Sequence, residues 1–321
     1  LQRRNLKGAA AMLDPQSLIR FEDFDLDALE LQGLNLLVGL RGHADAGHAL
    51  AQVRAELLDS LNPKLIASFD IDQLINYRER RPQISFLGDH YAAYQAPRLE
   101  LYRLTDGLER DFLFLTGPEP DLAWERVSAA IIALVEAFNI RLTVSFDAVP
   151  MPVPHTRPLG VTAHGNREEL ITGISTWTPT AELPASLASL LEIRLNEAGK
   201  DAVGYSIHVP HYLAEAEYPQ VAVGILEYVG AALELGLPTD RLREAGRNLE
   251  SQIADQVAAT PEVARMVENF EQRFDQHVPE TERRSLLVTA NAELPDGDEL
   301  AMAAEAFLSG FPEADGTATK D

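Results

Sequence analysis

The sequence contains no cysteine, and this absence excludes disulfide bridges, thiolate nucleophiles and thiolate metal ligands. A chain that needs no disulfide is compatible with a reducing compartment, so we expect the protein to be cytoplasmic. Long apolar runs are missing as well. The longest, from Leu34 to Leu40, has the length of a strand and falls far short of the ~20 residues that a membrane-spanning helix needs, so we expect no membrane contact.

Basic residues are scarce. The chain has 27 lysine and arginine residues against 50 aspartate and glutamate residues, which gives a formal net charge of -23. A field of this sign repels phosphate backbones and anionic lipid surfaces, so we expect no nucleic acid as a partner. The densest basic clusters, one at residues 78–81 and one at Arg283 and Arg284, are short and lie next to glutamates.

The sequence also lacks a recognisable nucleotide-binding loop. The segment from Gly42 to Gly47 lies between a predicted strand and a predicted helix, where α/β proteins bind phosphate. It has neither the Gly-Lys-Ser/Thr ending of a P-loop nor three glycines at dinucleotide-binding spacing, and Asp45 within it would repel an anion. We favour the interpretation that Asp45 caps the following helix while the glycines form the turn.

Motifs for metal binding and nucleophilic catalysis are absent too. His208 and His211 offer two imidazoles, but a zinc site needs three or four ligands and no His-Glu-x-x-His motif occurs. There is no Gly-x-Ser-x-Gly nucleophile elbow, and Ser145 and Ser206 fall inside predicted strands. We expect no metal and no other cofactor, and the sequence identifies no catalytic residue.

What the sequence does contain is an alternation of buried strands and amphipathic helices. The run from Leu34 to Leu40 predicts a strand that is buried on both faces. Apolar residues then recur at helical spacing from Leu50 to Leu61, and Lys64 to Phe69 predicts a second strand. This order predicts an α/β fold with a mostly parallel sheet covered by helices on both faces.

Later segments continue this pattern. Residues 83–104 alternate around short turns, which predicts antiparallel strands or a hairpin. Four prolines make residues 150–166 an extended, irregular segment that cannot join a central sheet. Further strands are predicted at residues 111–116, 141–149 and 201–208, and further helices after Asp121 as N-cap and at residues 184–198 and 219–236.

The composition changes after residue 236. Two charged amphipathic helices are predicted around residues 242–257 and 263–274, and a capping box at Asp296 and Glu299 predicts a last helix that ends at Leu308. The predicted organisation is a flexible N-terminus (1–20), an α/β/α domain (21–236), a C-terminal helical subdomain (237–310) and a disordered tail (311–321).

Several polar residues follow predicted strands, where α/β sheets place their ligand crevices. A candidate pocket is formed by Gly42, His43, Asp45, His155, Arg157 and His164. The last three belong to the proline-rich segment. A segment of that length is either a binding loop or lid, or a packed surface crossover.

Five segments together resemble the proteasome assembly chaperone family, in its long, actinobacterial-type branch. They are residues 39–47 (GLRGHADAG), 117–124 (GPEPDLAW), 153–158 (VPHTRP), 161–166 (VTAHGN) and 208–213 (HVPHYL). The resemblance covers roughly Phe21 to Leu308, which is nearly the whole chain.

This resemblance implies a three-layer α/β/α sandwich similar to purine nucleoside phosphorylases, with a mixed, mostly parallel sheet and a C-terminal helical appendage. It also implies oligomer formation, and it brings no established active site that could be carried over. Family members that dock on proteasome rings often use a C-terminal hydrophobic-Tyr-any tail, whereas this sequence ends Ala-Thr-Lys-Asp. Docking by that route is therefore not expected.

Two functions remain open from the sequence. The first is a non-catalytic oligomeric protein-interaction or assembly factor, whose partners are further copies of itself, with a trimer among the candidate states, and other proteins. The alternative is a small-molecule binding protein or enzyme that takes a nucleoside- or phosphate-like ligand in a phosphorylase-like pocket at the six candidate residues.

Overall fold

Strands with apolar residues at successive positions form the centre of the molecule. The computed structural model describes residues 13–22, 30–176 and 180–277. Within them the strands are β1 (Ile19–Phe21), β2 (Leu36–Arg41), β3 (Lys64–Phe69), β4 (Ser85–Leu87), β5 (His90–Ala92), β6 (Glu100–Thr105), β7 (Asp111–Pro118), β8 (Thr143–Met151), β9 (Val161–Gly165) and β10 (Ala202–Pro210). The helices are α1 (Ala49–Ser60), α2 (Trp124–Ala137), α3 (Glu168–Ile171), α4 (Leu187–Glu197), α5 (Pro219–Leu233), α6 (Asp240–Ala259) and α7 (Pro261–His277).

Eight of these strands form one mixed sheet in the order β1-β3-β6-β7-β2-β8-β10-β9. Strands β7, β2, β8 and β10 pair in parallel, and β3 runs in the same direction because it is antiparallel to β6, which is antiparallel to β7. Strands β1, β6 and β9 run the other way. The expected mixed, mostly parallel sheet is confirmed, and β4 and β5 form the expected hairpin apart from it.

Helices cover the sheet on both sides. Alternate residues of one strand point to opposite faces, so Leu36 and Val38 of β2 pack with α2 and α4 whereas Leu37 packs with α1 and α5. The described residues therefore form three layers, α/β/α, as the sequence predicts. Helix α5 is the most apolar of the seven and is buried along most of its length, because α1 and the sheet contact one side of it and α6 contacts another.

Three local predictions differ from the structure. The segment 150–166 is not irregular throughout: its prolines end at Pro158, and the residues after them form β9, which pairs with β10 at the edge of the sheet. Asp121 is not the N-cap of α2, which begins after Ala123; its carboxylate accepts a hydrogen bond from the Asn76 N–H at 2.7 Å. Strand β1 lies partly within the segment assigned to a flexible N-terminus and pairs with β3.

The C-terminal part divides at residue 286. Contacts separate the chain into the units Leu1–Leu286 and Leu287–Asp321, and the second unit, with the helix predicted from Asp296, lies outside the described residues. In the first unit, α6 contributes Leu242 and Ile253 to the same core as α1 and α5. The predicted boundary at residue 236, between the α/β/α domain and a helical subdomain, stays a prediction. None of the described helices combines the length and the hydropathy needed to cross a membrane.

We expect Gly117→Ala to destabilise the protein strongly, because Gly117 has φ +154° and a Cβ there would lie 2.3 Å from the Arg98 carbonyl oxygen. The backbones of β6 and β7 must then separate, with a loss of at least about 3 kcal/mol in the free energy of unfolding. Gly199→Ala is the matched control: Gly199 has φ +67° but open space around its Cβ position, so the change should cost only about 1–2 kcal/mol. Urea denaturation of both variants measures the difference, and equal losses would contradict the steric explanation.

Candidate functional site

The loop after β2 leads directly into α1, and its residues form hydrogen bonds with the first turn of that helix. Asp45 forms an isolated backbone bridge with Ala148 of β8, and its Oδ1 accepts a hydrogen bond from the Leu50 N–H at 2.8 Å. Gly47 has φ +71°, a conformation that favours glycine. The Asp45 side chain thus accepts from the first turn of α1, as a cap would, but the residue at the N-cap position is His48; of the two glycines predicted to form the turn, Gly47 has the left-handed conformation. Burial raises the pKa of Asp45, although the Leu50 N–H and the charges of His48 and Arg41 oppose that effect.

A second carboxylate, Asp147, lies at the centre of a polar cluster on the face of the sheet that α2 and α4 cover. It lies on β8 opposite Ser206 of β10, and the Ser206 hydroxyl hydrogen-bonds to it. The Oδ1 atom is closed to solvent and receives no hydrogen bond from the described residues. Burial raises the pKa of Asp147, and the Ser206 hydroxyl and the charges of His164 and His43 only partly offset this.

His164 joins this cluster from β9. Its ring lies directly over Gly204 of β10, where a Cβ would be 2.0 Å from the His164 Cε1. Its Nδ1 is 2.6 Å from Oε2 of Glu192 on α4. Burial alone would lower the pKa of His164, but the hydrogen bond and charge of Glu192, together with the charge of Asp147, raise it above the usual 6.5. The imidazole therefore links β9 to α4 and, when protonated, balances the charges of two carboxylates.

His155 and Arg157 take part in a different set of contacts. Both the backbone N–H and the Nδ1 of His155 are within 2.9 Å of the Tyr212 hydroxyl. Arg157 forms a two-pronged ion pair with Asp275 of α7, with distances of 2.8 and 2.7 Å. The Tyr212 ring in turn stacks on Phe270 of the same helix. These contacts hold the proline-rich segment against α7.

The six predicted residues thus have four kinds of environment. Asp45 accepts a hydrogen bond from the first turn of α1, and Gly42 lies so close to Glu119 that a Cβ would be 2.2 Å from its Oε2. The charges of His43 and His164 both act to lower the pKa of Asp147. His155 and Arg157, in contrast, contact Tyr212 and α7. One pocket shared by all six stays a prediction.

Asp147 and Glu192 were not predicted from the sequence. The available signal was an aspartate inside a predicted strand of otherwise apolar and small residues, with Ser206 at the matching position of the next strand. The partner of His164 could not be found in this way, because Glu192 belongs to a helix whose rotation the sequence does not give. Among the described residues, no three histidine or acidic side chains are grouped as a metal site would require.

The cluster is suited to holding protons and charge rather than to attacking a substrate. A general acid or base must reach a reacting atom directly or through one water molecule. The free oxygen of Asp147 is closed to solvent, and the His164 nitrogen that faces Glu192 is already hydrogen-bonded. The arrangement therefore favours a structural role, which ties β8, β9 and β10 to α4.

We expect Glu192→Gln to lower the pKa of His164, since the variant removes the charge that holds the imidazolium. A histidine whose pKa is raised by folding stabilises the protein most below its unfolded value of 6.5, and this contribution disappears as the pH rises through the folded pKa. The variant should therefore lose about 1 kcal/mol or less at pH 6, since the pair is partly exposed, and less at pH 9. NMR titration of His164 and chemical unfolding measure the two effects.

Glu197→Gln is the control, because Glu197 lies on the same helix but pairs with Arg194. It should leave the pKa of His164 unchanged. An equal pKa shift in this variant would contradict the assignment of Glu192 as the partner.

We expect Asp147→Asn to raise Tm at pH 7.5 by about 2–4 °C, because the variant keeps the shape and removes a charge that burial disfavours. A carboxyl whose pKa is raised by folding costs stability once the pH exceeds its unfolded value of 3.8. The gain should therefore shrink towards zero as the pH approaches that value. Calorimetry between pH 4 and pH 8 tests this. A variant that is less stable at pH 7.5 would show that His43 and His164 outweigh the burial of the charge.

Comparison with known proteins assigns the family. The family model described as "PAC2 family" matches residues 39–257. A protein of unknown function from Mycobacterium tuberculosis is 39% identical, with a TM-score of 0.74 over 81% of this chain and 89% of its own. One from Corynebacterium glutamicum is 35% identical, with a TM-score of 0.76 over 81% of this chain and 97% of its own.

A third solved structure carries a functional description. It is a proteasome-assembly chaperone homologue from Mycobacterium tuberculosis, 24% identical, with a TM-score of 0.66 over 73% of this chain and 100% of its own; at this identity the likeness concerns the fold. A comparison with the curated proteins finds no match. Because the family model spans more than half of the sequence, and because the resemblance of its five segments to proteasome assembly chaperones points the same way, the chain belongs to the PAC2 family.

Proposed function

We propose that this protein is a non-catalytic, oligomeric assembly factor that acts through protein–protein contacts. Its family is chaperone-like in the sense that a member of the same fold is described as a proteasome-assembly chaperone homologue. The observation that carries the proposal is an exposed apolar surface on the β4–β5 hairpin. The polar cluster around Asp147 supports the non-catalytic part, since its free oxygen is closed to solvent.

The hairpin presents large apolar side chains to solvent. Five of them are between 50% and 70% exposed: Ile84, Phe86, Leu87, Tyr91 and Tyr94. In the part of the chain that the structure describes, β4 pairs only with β5. Phe86 and Tyr91 are opposite each other and share one face of the hairpin, and exposed apolar side chains grouped in this way mark protein contacts.

Energetics point in the same direction. An isolated two-stranded hairpin is marginally stable in water, and here the Phe86 and Tyr91 rings contact each other edge to face, with centroids 5.1 Å apart. Burying one such side chain contributes about 1.5–3 kcal/mol. A partner that covers the face with Phe86 and Tyr91 would therefore stabilise both the contact and the hairpin.

A second copy of the chain is the partner that we propose first. Every copy carries the same hairpin, and closed symmetric assemblies repeat one such contact in each subunit. The net charge of -23 opposes association at long range, so the contact itself must be apolar, as the hairpin is. Other proteins are further proposed partners, whereas nucleic acid is not, because the overall charge repels it. The proposed location of this activity is the cytoplasm.

We expect the wild-type protein to form an oligomer. Light scattering after size exclusion should give a mass of at least twice the 35.3 kDa of one chain. Phe86→Ser combined with Tyr91→Ser should reduce it to one chain, because two large apolar side chains are lost from the contact. Leu183→Ser is the control, as Leu183 is 78% exposed but lies outside the hairpin, and it should leave the mass unchanged.

The thermal transition of the double variant must also be recorded, since the hairpin lies outside the core and its loss should not unfold the body. A wild type that is monomeric at all concentrations, or a double variant that keeps the wild-type mass, would rule out the hairpin as the contact. A mass that falls equally in the Leu183→Ser variant would assign the contact to another surface.

A further inference from the structure

A cavity of ≈ 480 Å³ opens where β2 and β7 end, and arginines from separate parts of the chain line it. They come from the end of β2, from α1, from the segment before the hairpin and from the segment after it: Arg41, Arg54, Arg80, Arg81 and Arg98. This cavity is distinct from the polar cluster at Asp147.

The charge of this cavity is opposite to that of the molecule. The chain as a whole carries -23, yet the lining residues include five arginines and no aspartate or glutamate. Like charges in one small space repel each other. The gathering of five guanidinium groups there opposes folding unless an anion or nearby acid compensates it.

Nearby acids compensate it only in part. Glu100, which is buried, lies 3.6 Å from Arg54 and 3.5 Å from Arg98, and Asp121 pairs with Arg80. These two carboxylates fix three of the arginines in place. Five guanidinium groups thus face two ion-paired carboxylates and Asp45, whose charge interacts with Arg41, so positive charge remains in excess.

Arg41 and Arg81 account for most of that excess. Neither side chain forms an ion pair or hydrogen bond with any described residue, although Asp45 acts weakly on Arg41 through its charge. Both side chains are exposed, so they can turn towards a ligand at little cost. The cavity thus combines arginines that are held by acids with arginines that are available to bind.

Strands β2 and β7 also line the cavity, through Gly39, Thr116 and Gly117. Gln83 and Gln95 stand at the rim, where the Gln95 N–H donates to the Gln83 carbonyl at 2.9 Å and closes the base of the hairpin. Their amide groups add neutral hydrogen-bond donors to the charged ones.

We propose that this cavity binds a small molecule through its phosphate or carboxylate groups. The planar guanidinium group donates two parallel hydrogen bonds to either oxyanion, and it does so better than a lysine would. The volume lies within the range of about 300–1,000 Å³ that small-molecule sites occupy. Arg41 and Arg81 close on the oxyanion, while Arg54 and Arg98, held by Glu100, provide the fixed side of the site.

Isothermal titration calorimetry in a chloride buffer of about 0.15 M ionic strength tests the proposal with two probes, pyrophosphate for the phosphate class and citrate for the carboxylate class. We expect saturable binding of at least one probe, at one site per chain. The probe that binds more tightly identifies the class. Failure of both probes to bind the wild type would overturn the proposal.

Variants separate recognition from general charge attraction. Arg41→Gln combined with Arg81→Gln should weaken binding at least tenfold. Arg247→Gln combined with Arg265→Gln removes the same amount of charge from the exposed surface of α6 and α7. This control should change the affinity for the probe less than twofold. Arg41→Lys combined with Arg81→Lys keeps the charge but not the paired hydrogen bonds, and it should give an intermediate loss.

Three results would contradict the assignment. Equal losses in the two glutamine pairs would mean that the net charge alone attracts the probe. Full binding by the Arg41 and Arg81 glutamine pair would place the ligand elsewhere. In the third result, the Arg41 and Arg81 glutamine pair retains probe binding but changes its oligomer mass. That result would mean that the cavity receives an acidic segment of another copy. Thermal unfolding without probe checks that each variant is folded.

Discussion

Burial of the central sheet on both faces is the constraint on which the rest of the structure depends. Strands β7, β2 and β8 lie in the middle of eight, so their successive residues enter two different apolar layers. Helices α1 and α5 complete one layer, and α2 and α4 complete the other. A charged side chain on such a strand is costly unless it finds partners. Asp147 is tolerated because Ser206 donates to it and two histidines lie near it.

The same constraint explains which elements were predictable. Continuous apolar runs predicted β2 and β7, and α5 matches the helix predicted at residues 219–236, because hydrophobicity largely determines the position of these elements. Edge strands carry no such signal. Strand β9 follows a proline-rich segment and has one covered side, so its composition resembles a loop, and β1 has only three residues. Asp121 had the right residue type for a cap, but Asn76 and Arg80 compete for its carboxylate.

The candidate site was harder to predict because its geometry is non-local. The hydrogen bond from the first turn of α1 to Asp45 was predictable, since it joins residues that are near one another in the sequence, although His48 holds the N-cap position. His164 was selected for its position after a strand, but its partners come from β8 and α4. The arginine cavity left no trace in the sequence. Its members are separated by many residues, and the cluster at 78–81 looked neutralised because glutamate adjoins it.

Both features that we connect with partners belong to one stretch of chain, the connection between β3 and β6. Its middle forms the apolar hairpin, while its two ends, which the Gln83 and Gln95 backbones join, supply Arg80, Arg81 and Arg98 to the cavity. The two surfaces nevertheless differ in how their interactions respond to salt. Association of two copies through the hairpin should not weaken as salt is added, since salt screens the like charges that oppose it, whereas arginine–oxyanion attraction at an open site weakens. Ionic strength therefore separates hairpin contacts from cavity binding even though the same loop supplies both, and the layered fold around them need not change for either to occur.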